Sequence, residues 1–410
     1  MKKKLPLIAL ALTLALAACG GDDEHQAAAP DLPTPRETPG VPIASGQIDN
    51  ALAQLDAIVQ RTLADTGIPG AAVAVVRNGE TVYAKGFGVR KAGEPAPVDA
   101  DTVFQLASVS KSVGATVVAH QVGQGVVAWD TPIAQHLPWF ALNDEWVTQH
   151  VTVGDMYAHR SGLPDHAGDS LEDIGYDRRQ VLERLRFMPT HAFRDEYAYT
   201  NFGITTGAEA VAAASSTDWA ALSEDVLYRP LGMTATSSRF ADFIARANRA
   251  YPHVKVDGAY QAKYQRQPDA QSPAGGVSSN VRDMARWMAM VLGEGSFEGR
   301  QIVARAALLP AITPQIVAEP ADTPNARAGA YGFGFNVGVQ PSGRTTLSHS
   351  GAFLLGAGTN FVMMPSADLG IVVLTNAQPI GAAEAITAQF LDLVQFGRIT
   401  RDWLAGYAGA

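Results

Sequence analysis

Runs with strand character stand at both ends of the folded part of this chain, with a long helical stretch between them. No other feature restricts the fold as much. Near the N-terminus, residues 71–76 and 81–89 are rich in β-branched and small apolar side chains and are joined by Arg77-Asn78-Gly79-Glu80. Asn-Gly between two such runs is the strongest short hairpin signal, because a two-residue turn needs positive φ at both positions. Near the C-terminus, residues 331–339, 345–350, 359–364 and 369–376 read as strands, and a helical pattern follows near 382–396. Residues 47–66 place Ile48, Leu52, Leu55, Ile58, Val59 and Leu63 at helical spacing. From Ser108 to about residue 290 the pattern is mainly helical, with loops rich in Gly, Pro and Asp. Strands at the two ends have to complete one sheet. Short hairpin connections make that sheet antiparallel, with the terminal helices on its faces. The fold expected is therefore α/β in the α+β sense: an antiparallel sheet built from both chain ends and flanked by helices, plus a mainly helical lobe. The cleft between the two lobes is the natural place for a site.

Composition narrows the function classes. With 410 residues, 47% hydrophobic and 17% charged, the chain is globular and long enough for a substantial core. Its 31 Lys and Arg against 40 Asp and Glu give a net charge of −9. No basic run follows residue 4, so no nucleic-acid partner is expected, since phosphate neutralisation needs clustered cations. A single cysteine excludes an internal disulfide, a Cys-ligated zinc and an iron–sulfur cluster.

That cysteine also bears on location. Lys2, Lys3 and Lys4 precede an apolar run, residues 5–18, broken only by Thr13 and ending Leu16-Ala17-Ala18. Such a run is short for a bilayer span and has the layout of a signal peptide. Cys19 follows the small residues directly, which resembles the bacterial lipobox. The expected organisation is a lipoprotein signal peptide over 1–18 and a disordered tether over 19–46 after a lipidated Cys19. A hydrolase domain over 47–398 and a tail over 399–410 complete it. Several acyl chains on one residue anchor stably where one does not. The resulting expectation is an extracytoplasmic, membrane-anchored lipoprotein. Residue 20 is Gly rather than Asp, which in a Gram-negative cell directs the expectation to the periplasmic side of the outer membrane.

The chemistry-bearing motifs are few. G-x-S-x-G, H-E-x-x-H, Walker A and G-x-G-x-x-G are absent. What remains is Ser108-Val109-Ser110-Lys111 ahead of an apolar helical run, 113–122. If Ser108 opens that helix, Lys111 lies one turn later on the same side. A serine hydroxyl is a weak nucleophile and needs a base to take its proton. The helix N-terminus adds partial positive charge where negative charge develops. Further along come Tyr199-Thr200-Asn201, at the start of a helix-like run, and His349-Ser350-Gly351, at the end of a strand. Asp165 and His166 are adjacent in a loop and do not make a metal ligand set. Trp139, Phe140 and Trp146 either pack or border the cleft.

The three motifs, in this order, resemble the penicillin-recognising serine hydrolases of class C β-lactamase type, which include esterases, DD-peptidases and D-aminopeptidases. The resemblance extends over Ile68-Pro69-Gly70, Asp101-Thr102-Val103-Phe104 and His159-Arg160-Ser161-Gly162-Leu163-Pro164. It continues through Pro230-Leu231-Gly232-Met233, Pro273-Ala274-Gly275-Gly276, Tyr331-Gly332-Phe333-Gly334 and Val373-Leu374-Thr375-Asn376. It implies a β-lactamase/transpeptidase-like fold and an acyl-enzyme at Ser108. Lys111 and Tyr199 would share the proton work, with the identity of the base open between them. The resemblance places His349 at the third-motif basic position and Asn201 against Lys111 or the substrate amide. It also implies backbone N–H groups of Ser108 and Ala352, past Gly351, as an oxyanion hole. His159 is structural in such relatives. No metal and no organic cofactor is implied.

Two departures concern the substrate. Class C β-lactamases carry Lys where this chain has His349, and a histidine is expected there to carry a charge that depends on pH near neutrality. Gly356 also falls one residue later than the pattern anticipates. The expected function is an acyl-enzyme hydrolase of ester or amide substrates, with D-amino-acid peptides and β-lactams among the candidates. The alternative is a non-catalytic lipoprotein of the same fold that binds cell-wall peptides or penicillin.

Overall fold

The computed structural model describes residues 40–407, and in it the two chain ends meet as strand partners. Strands β1 (Gly70–Arg77) and β2 (Glu80–Gly88) form the N-terminal hairpin. Its turn residues Asn78 and Gly79 have φ of 52° and 76°, the left-handed values whose twist matches the flanking strands. The C-terminal strands are β3 (Ile316–Glu319), β4 (Gly329–Tyr331), β5 (Asn336–Val339), β6 (Thr345–Phe353), β7 (Ala357–Met364) and β8 (Leu369–Thr375). Together the eight strands form one antiparallel sheet in the order β2-β1-β8-β7-β6-β5-β4-β3. In the closing pair Ala71 stands opposite Thr375 and Arg77 opposite Leu369.

Alternation along the central strands sends side chains to two cores. Val73 and Val75 of β1, with Ile371 and Val373 of β8, face α1 (Gln47–Thr66) and α5 (Ala382–Phe396), where Leu55, Val59, Ile386 and Phe390 meet them. Ala72, Ala74, Val372 and Leu374 face the helical lobe and pack with Met284, Trp287 and Met288 of α4 (Val281–Leu292). Within that lobe α2 (Val109–Gly123) is buried on every side from Val109 to Ala119. This explains its continuous apolar pattern.

Three features differ from the sequence reading. The run 331–339 is not one strand: β4 ends at Tyr331 and β5 begins at Asn336. Between them Gly334 takes φ +79° and lies against α2, where a Cβ would stand 2.7 Å from the Lys111 carbonyl oxygen. Phe333 and Phe335 turn into the lobe core. Strand β3 lies at the sheet edge, its exposure alternating, and four residues are too few to show a period in the sequence. Within 399–410, Trp403–Tyr407 form a helical turn on α5. The buried Asp392 carboxylate accepts from the Thr400 N–H, the Thr400 hydroxyl and the Trp403 indole at 2.7, 2.6 and 2.7 Å. The segments 1–18 and most of 19–46, with Cys19, lie outside the described residues.

Candidate active site

The N-terminus of α2 presents the first two groups. Ala107 takes φ +47°, a strained value for a residue with a side chain, and Ser108 is the N-cap that follows. Lys111, one turn on, bends back toward it. Its Nζ lies 2.9 Å from Ser108 Oγ, 2.7 Å from Asn201 Oδ1 and 3.0 Å from the Ala274 carbonyl oxygen. Asn201 opens α3 (Asn201–Ala214), and Tyr199 stands just before it. The Tyr199 hydroxyl donates to Ser108 Oγ at 2.7 Å. The Lys111 ammonium also lies 4.6 Å from the centroid of the Tyr199 ring. The structure thus brings Lys111 and Tyr199 onto the Ser108 hydroxyl, with Asn201 holding Lys111.

Burial sets the charges. Lys111 is 0% exposed, and desolvation pushes its ammonium down to about 7, opposed by the Asp169 carboxylate. Tyr199 is half-buried, and desolvation pushes its phenol above the usual range, opposed by the Ser108 hydrogen bond. His159, buried beneath the tyrosine, is held well below the usual imidazole range by burial and by the Lys111 charge. Its Nδ1 accepts from the Thr200 N–H at 3.1 Å and its ring lies 4.6 Å from that of Tyr199. It therefore shapes the Tyr199-Thr200-Asn201 corner through the Thr200 backbone and the face of the Tyr199 ring.

Strand β6 supplies the opposite wall. A Cβ on Gly351 would stand 2.2 Å from the Leu106 carbonyl oxygen and 3.1 Å from the Ser108 nitrogen. Only a glycine lets this strand run so close to the nucleophile's own backbone. Ala352, the next residue, is exposed. His349 is where the expectation fails. Its Nδ1 donates to the Ser350 carbonyl at 2.6 Å, and Nε2, which in the neutral ring can only accept, pairs with the Tyr331 hydroxyl at 2.9 Å. The ring is 4% exposed. Burial, then the nearby Lys111 ammonium, pushes it down to about 3, against the Ser350 contact. The imidazole is neutral at physiological pH, so its charge does not follow pH near neutrality. Its ring centroid is 6.4 Å from that of Tyr199, and it makes no hydrogen bond to Ser108, Lys111 or Tyr199.

Two participants carry less sequence signal. Ala274, whose carbonyl holds Lys111, falls in the Pro273-Ala274-Gly275-Gly276 block. Asp169 falls in no motif, yet its Oδ2 accepts from Asn201 Nδ2 at 2.9 Å and from His166 Nδ1 at 2.8 Å. Phe140 is core, Trp139 is half-buried under the Arg179 guanidinium, and Trp146 is exposed and stacked on His150. Among the described residues no group of three or more His, Cys, Asp and Glu is placed to hold a metal ion.

Comparison with known proteins sets this geometry in context. Unguisins hydrolase ungD' of Aspergillus campestris (strain IBT 28561) is 28% identical over 334 residues, covering 78% of this chain. The chain spans 60% and 62% of the length of the two unguisins hydrolases it matches. Esterase EstB of Burkholderia gladioli is 26% identical over 379 residues, covering 83% of this chain and 94% of the esterase. Among solved structures, a class C beta lactamase from Rhodobacter sphaeroides shares the fold at a TM-score of 0.68 and 21% identity, covering 83% of this chain and 98% of that one. The Beta-lactamase family profile matches residues 55–395, most of the sequence, and the chain belongs to that family.

Proposed function

We propose that the protein is a serine hydrolase that works through an acyl-enzyme at Ser108 on ester or amide substrates. The observation that carries this reading is the convergence of Lys111 Nζ and the Tyr199 hydroxyl on Ser108 Oγ, at 2.9 and 2.7 Å. Of the three oxygens around Nζ, the Asn201 amide oxygen and the Ala274 carbonyl can only accept, while the Ser108 hydroxyl can donate. A neutral lysine has two N–H bonds and one lone pair. Its N–H groups satisfy the two acceptors, and the lone pair is left for the Ser108 proton. Lys111 is therefore the base, and a pKa near 7 makes the neutral form abundant at neutral pH.

Attack forms the Ser108 Oγ–C bond as the hydroxyl proton passes to Lys111 Nζ and the carbonyl electron pair moves to its oxygen. The N–H groups of Ser108 and Ala352 receive that oxyanion. Collapse breaks the bond to the leaving group, which takes a proton from Tyr199, and Lys111 returns one to the phenol. Water then attacks the acyl-enzyme with the same base, releasing the acid and free Ser108. The neutral His349 offers no cation to a substrate carboxylate, which favours ester substrates over β-lactams and peptides ending in D-Ala. The extensive match to an esterase supports the same preference.

A panel of p-nitrophenyl butyrate, nitrocefin and a D-Ala-D-Ala peptide tests this, with Ser108→Ala as control. The ester is hydrolysed fastest, and the variant neither turns over nor takes up a fluorophosphonate probe. Turnover or labelling that persists in Ser108→Ala removes the nucleophile. We also propose that the chain is lipid-anchored outside the cytoplasm through Cys19, on the strength of the basic start, the apolar run and the single cysteine after Ala18. Labelled palmitate incorporated by the wild type and equally by Cys19→Ser would refute this.

A further inference from the structure

Asn201 can turn either end of its amide toward Lys111. With its oxygen there, it takes one amine hydrogen. With its NH2 there, it would donate into the lone pair that Ser108 needs. A carboxylate can only accept, so whichever end of Asn201 faces a carboxylate must be the NH2. Asp169 Oδ2 stands 2.9 Å from Asn201 Nδ2, and Asn201 Oδ1 stands 2.7 Å from Lys111 Nζ. We propose that Asp169 is a positioning residue of this site, acting through Asn201 to keep the Lys111 lone pair aimed at Ser108. The inference rests on the reading of Ser108 and Lys111 given above.

The Asp169 carboxylate is itself held in place. His166 Nδ1 donates to the same Oδ2 at 2.8 Å, and the His166 backbone N–H donates to the Tyr199 carbonyl at 2.7 Å. The loop is thereby tied to Tyr199 as well as to Asn201. Gly168, with φ +92°, packs so tightly that a Cβ would stand 2.9 Å from the Phe202 ring and from Val181. Asp169 Oδ1 is buried with no protein partner, a cost that hydrogen bonding does not offset. The charges facing Lys111 are few. Asp169 is the carboxylate that opposes desolvation there. His159 and His349 are neutral by burial, and Tyr199 stays protonated. Around Asp169 itself stand His166 and Glu172, and Arg266 is already paired with Glu172 and Asp173.

The test measures fluorophosphonate uptake at Ser108 and p-nitrophenyl butyrate turnover from acid to alkaline pH. The proteins are wild type, Asp169→Asn, Asn201→Ala and the double variant. An asparagine at 169 can donate as well as accept, so the amide of Asn201 is free to turn. Asp169→Asn lowers the plateau rate about 10- to 100-fold, the scale of a misaligned reacting group. It also moves the midpoint of the rising limb to lower pH, because the charge that favours the ammonium is gone. In the Asn201→Ala background the same change costs no further plateau rate. An unmoved midpoint, or an equal loss in both backgrounds, overturns the inference and leaves Asp169 a structural residue. If Asp169→Asn does not fold, Asp169→Ser removes the charge with a smaller side chain and is read in the same way. A wild-type Ser108 that takes no probe at any pH refutes the hydrolase reading and this inference with it. Wild-type labelling with an unchanged Asp169→Asn profile refutes this inference alone.

Discussion

Lys111 is wholly buried, with the Asp169 carboxylate as the charge that opposes its desolvation, and its value as a base follows from that position. In water an amine is protonated at neutral pH and cannot accept a proton. Here desolvation brings it to about 7, so the active neutral form grows as pH rises through that value. The expected kcat/KM profile therefore climbs through about pH 7 to an alkaline plateau. A limb that rises only in the phenol range would transfer the base role to Tyr199. Tyr199→Phe removes the hydroxyl that donates to Ser108 Oγ and is expected to lose at least about 100-fold in turnover while folding normally. His349 carries a different expectation, one of stability. Its pKa falls from 6.5 in the unfolded chain to about 3 in the fold. Below 6.5 the unfolded chain takes up a proton that the fold refuses, so stability declines as pH drops through that window and the loss is complete near 3. The urea midpoint of the wild type falls over this range, and that of His349→Asn, which lacks the group, falls less. Equal slopes would mean that the imidazole is protonated in the fold.

At the scale of elements, the site exists because β6 and the start of α2 run in backbone contact. Gly351→Ala forces a methyl to 2.2 Å from the Leu106 carbonyl and 2.3 Å from Thr359 Oγ1, so strand and helix must separate. The expected loss is about 100- to 1,000-fold in turnover, the cost of one misplaced oxyanion donor, measured on protein shown to be folded. Near-normal turnover would mean that β6 does not bound the oxyanion. The elements themselves were legible to different degrees. The Asn78-Gly79 hairpin, α1 and α5 are marked by local turn chemistry and by helical spacing, and the structure has them. Gly332-Phe333-Gly334-Phe335 alternates as a strand does, so its break is invisible until Gly334 is seen against Lys111 of α2. The motif residues Ser108, Lys111, Tyr199 and Asn201 are legible through their spacing and resemblance. Asp169 is not, because its part lies in a side-chain contact across loops that no periodicity records. The neutrality of His349 depends on burial and on the Lys111 charge, and both are properties of the assembled fold.

For the whole molecule, the pairing of β1 with β8 joins the N-terminal hairpin to the C-terminal strands within the sheet. Contacts of such long range are made late and at a high entropic cost, so the sheet, and with it the β6 wall of the site, forms only when nearly all the chain is present. Two truncations separate this from a merely additive picture. A chain ending after Asp368 lacks β8 and α5. It leaves β1 and β7 with open edges inside the sheet and uncovers Leu55 and Val59 of α1. It is expected to be insoluble and to take no fluorophosphonate at Ser108, although every motif residue is still present. A chain ending after Gly397 keeps the whole sheet and loses the donors that Thr400 and Trp403 give the buried Asp392. It is expected to label normally with a stability lower by about 1–3 kcal/mol, the cost of an unsatisfied buried polar group, read from its urea midpoint. Labelling of the shorter chain would show that the helical lobe builds the site by itself and that the sheet serves only to cover it.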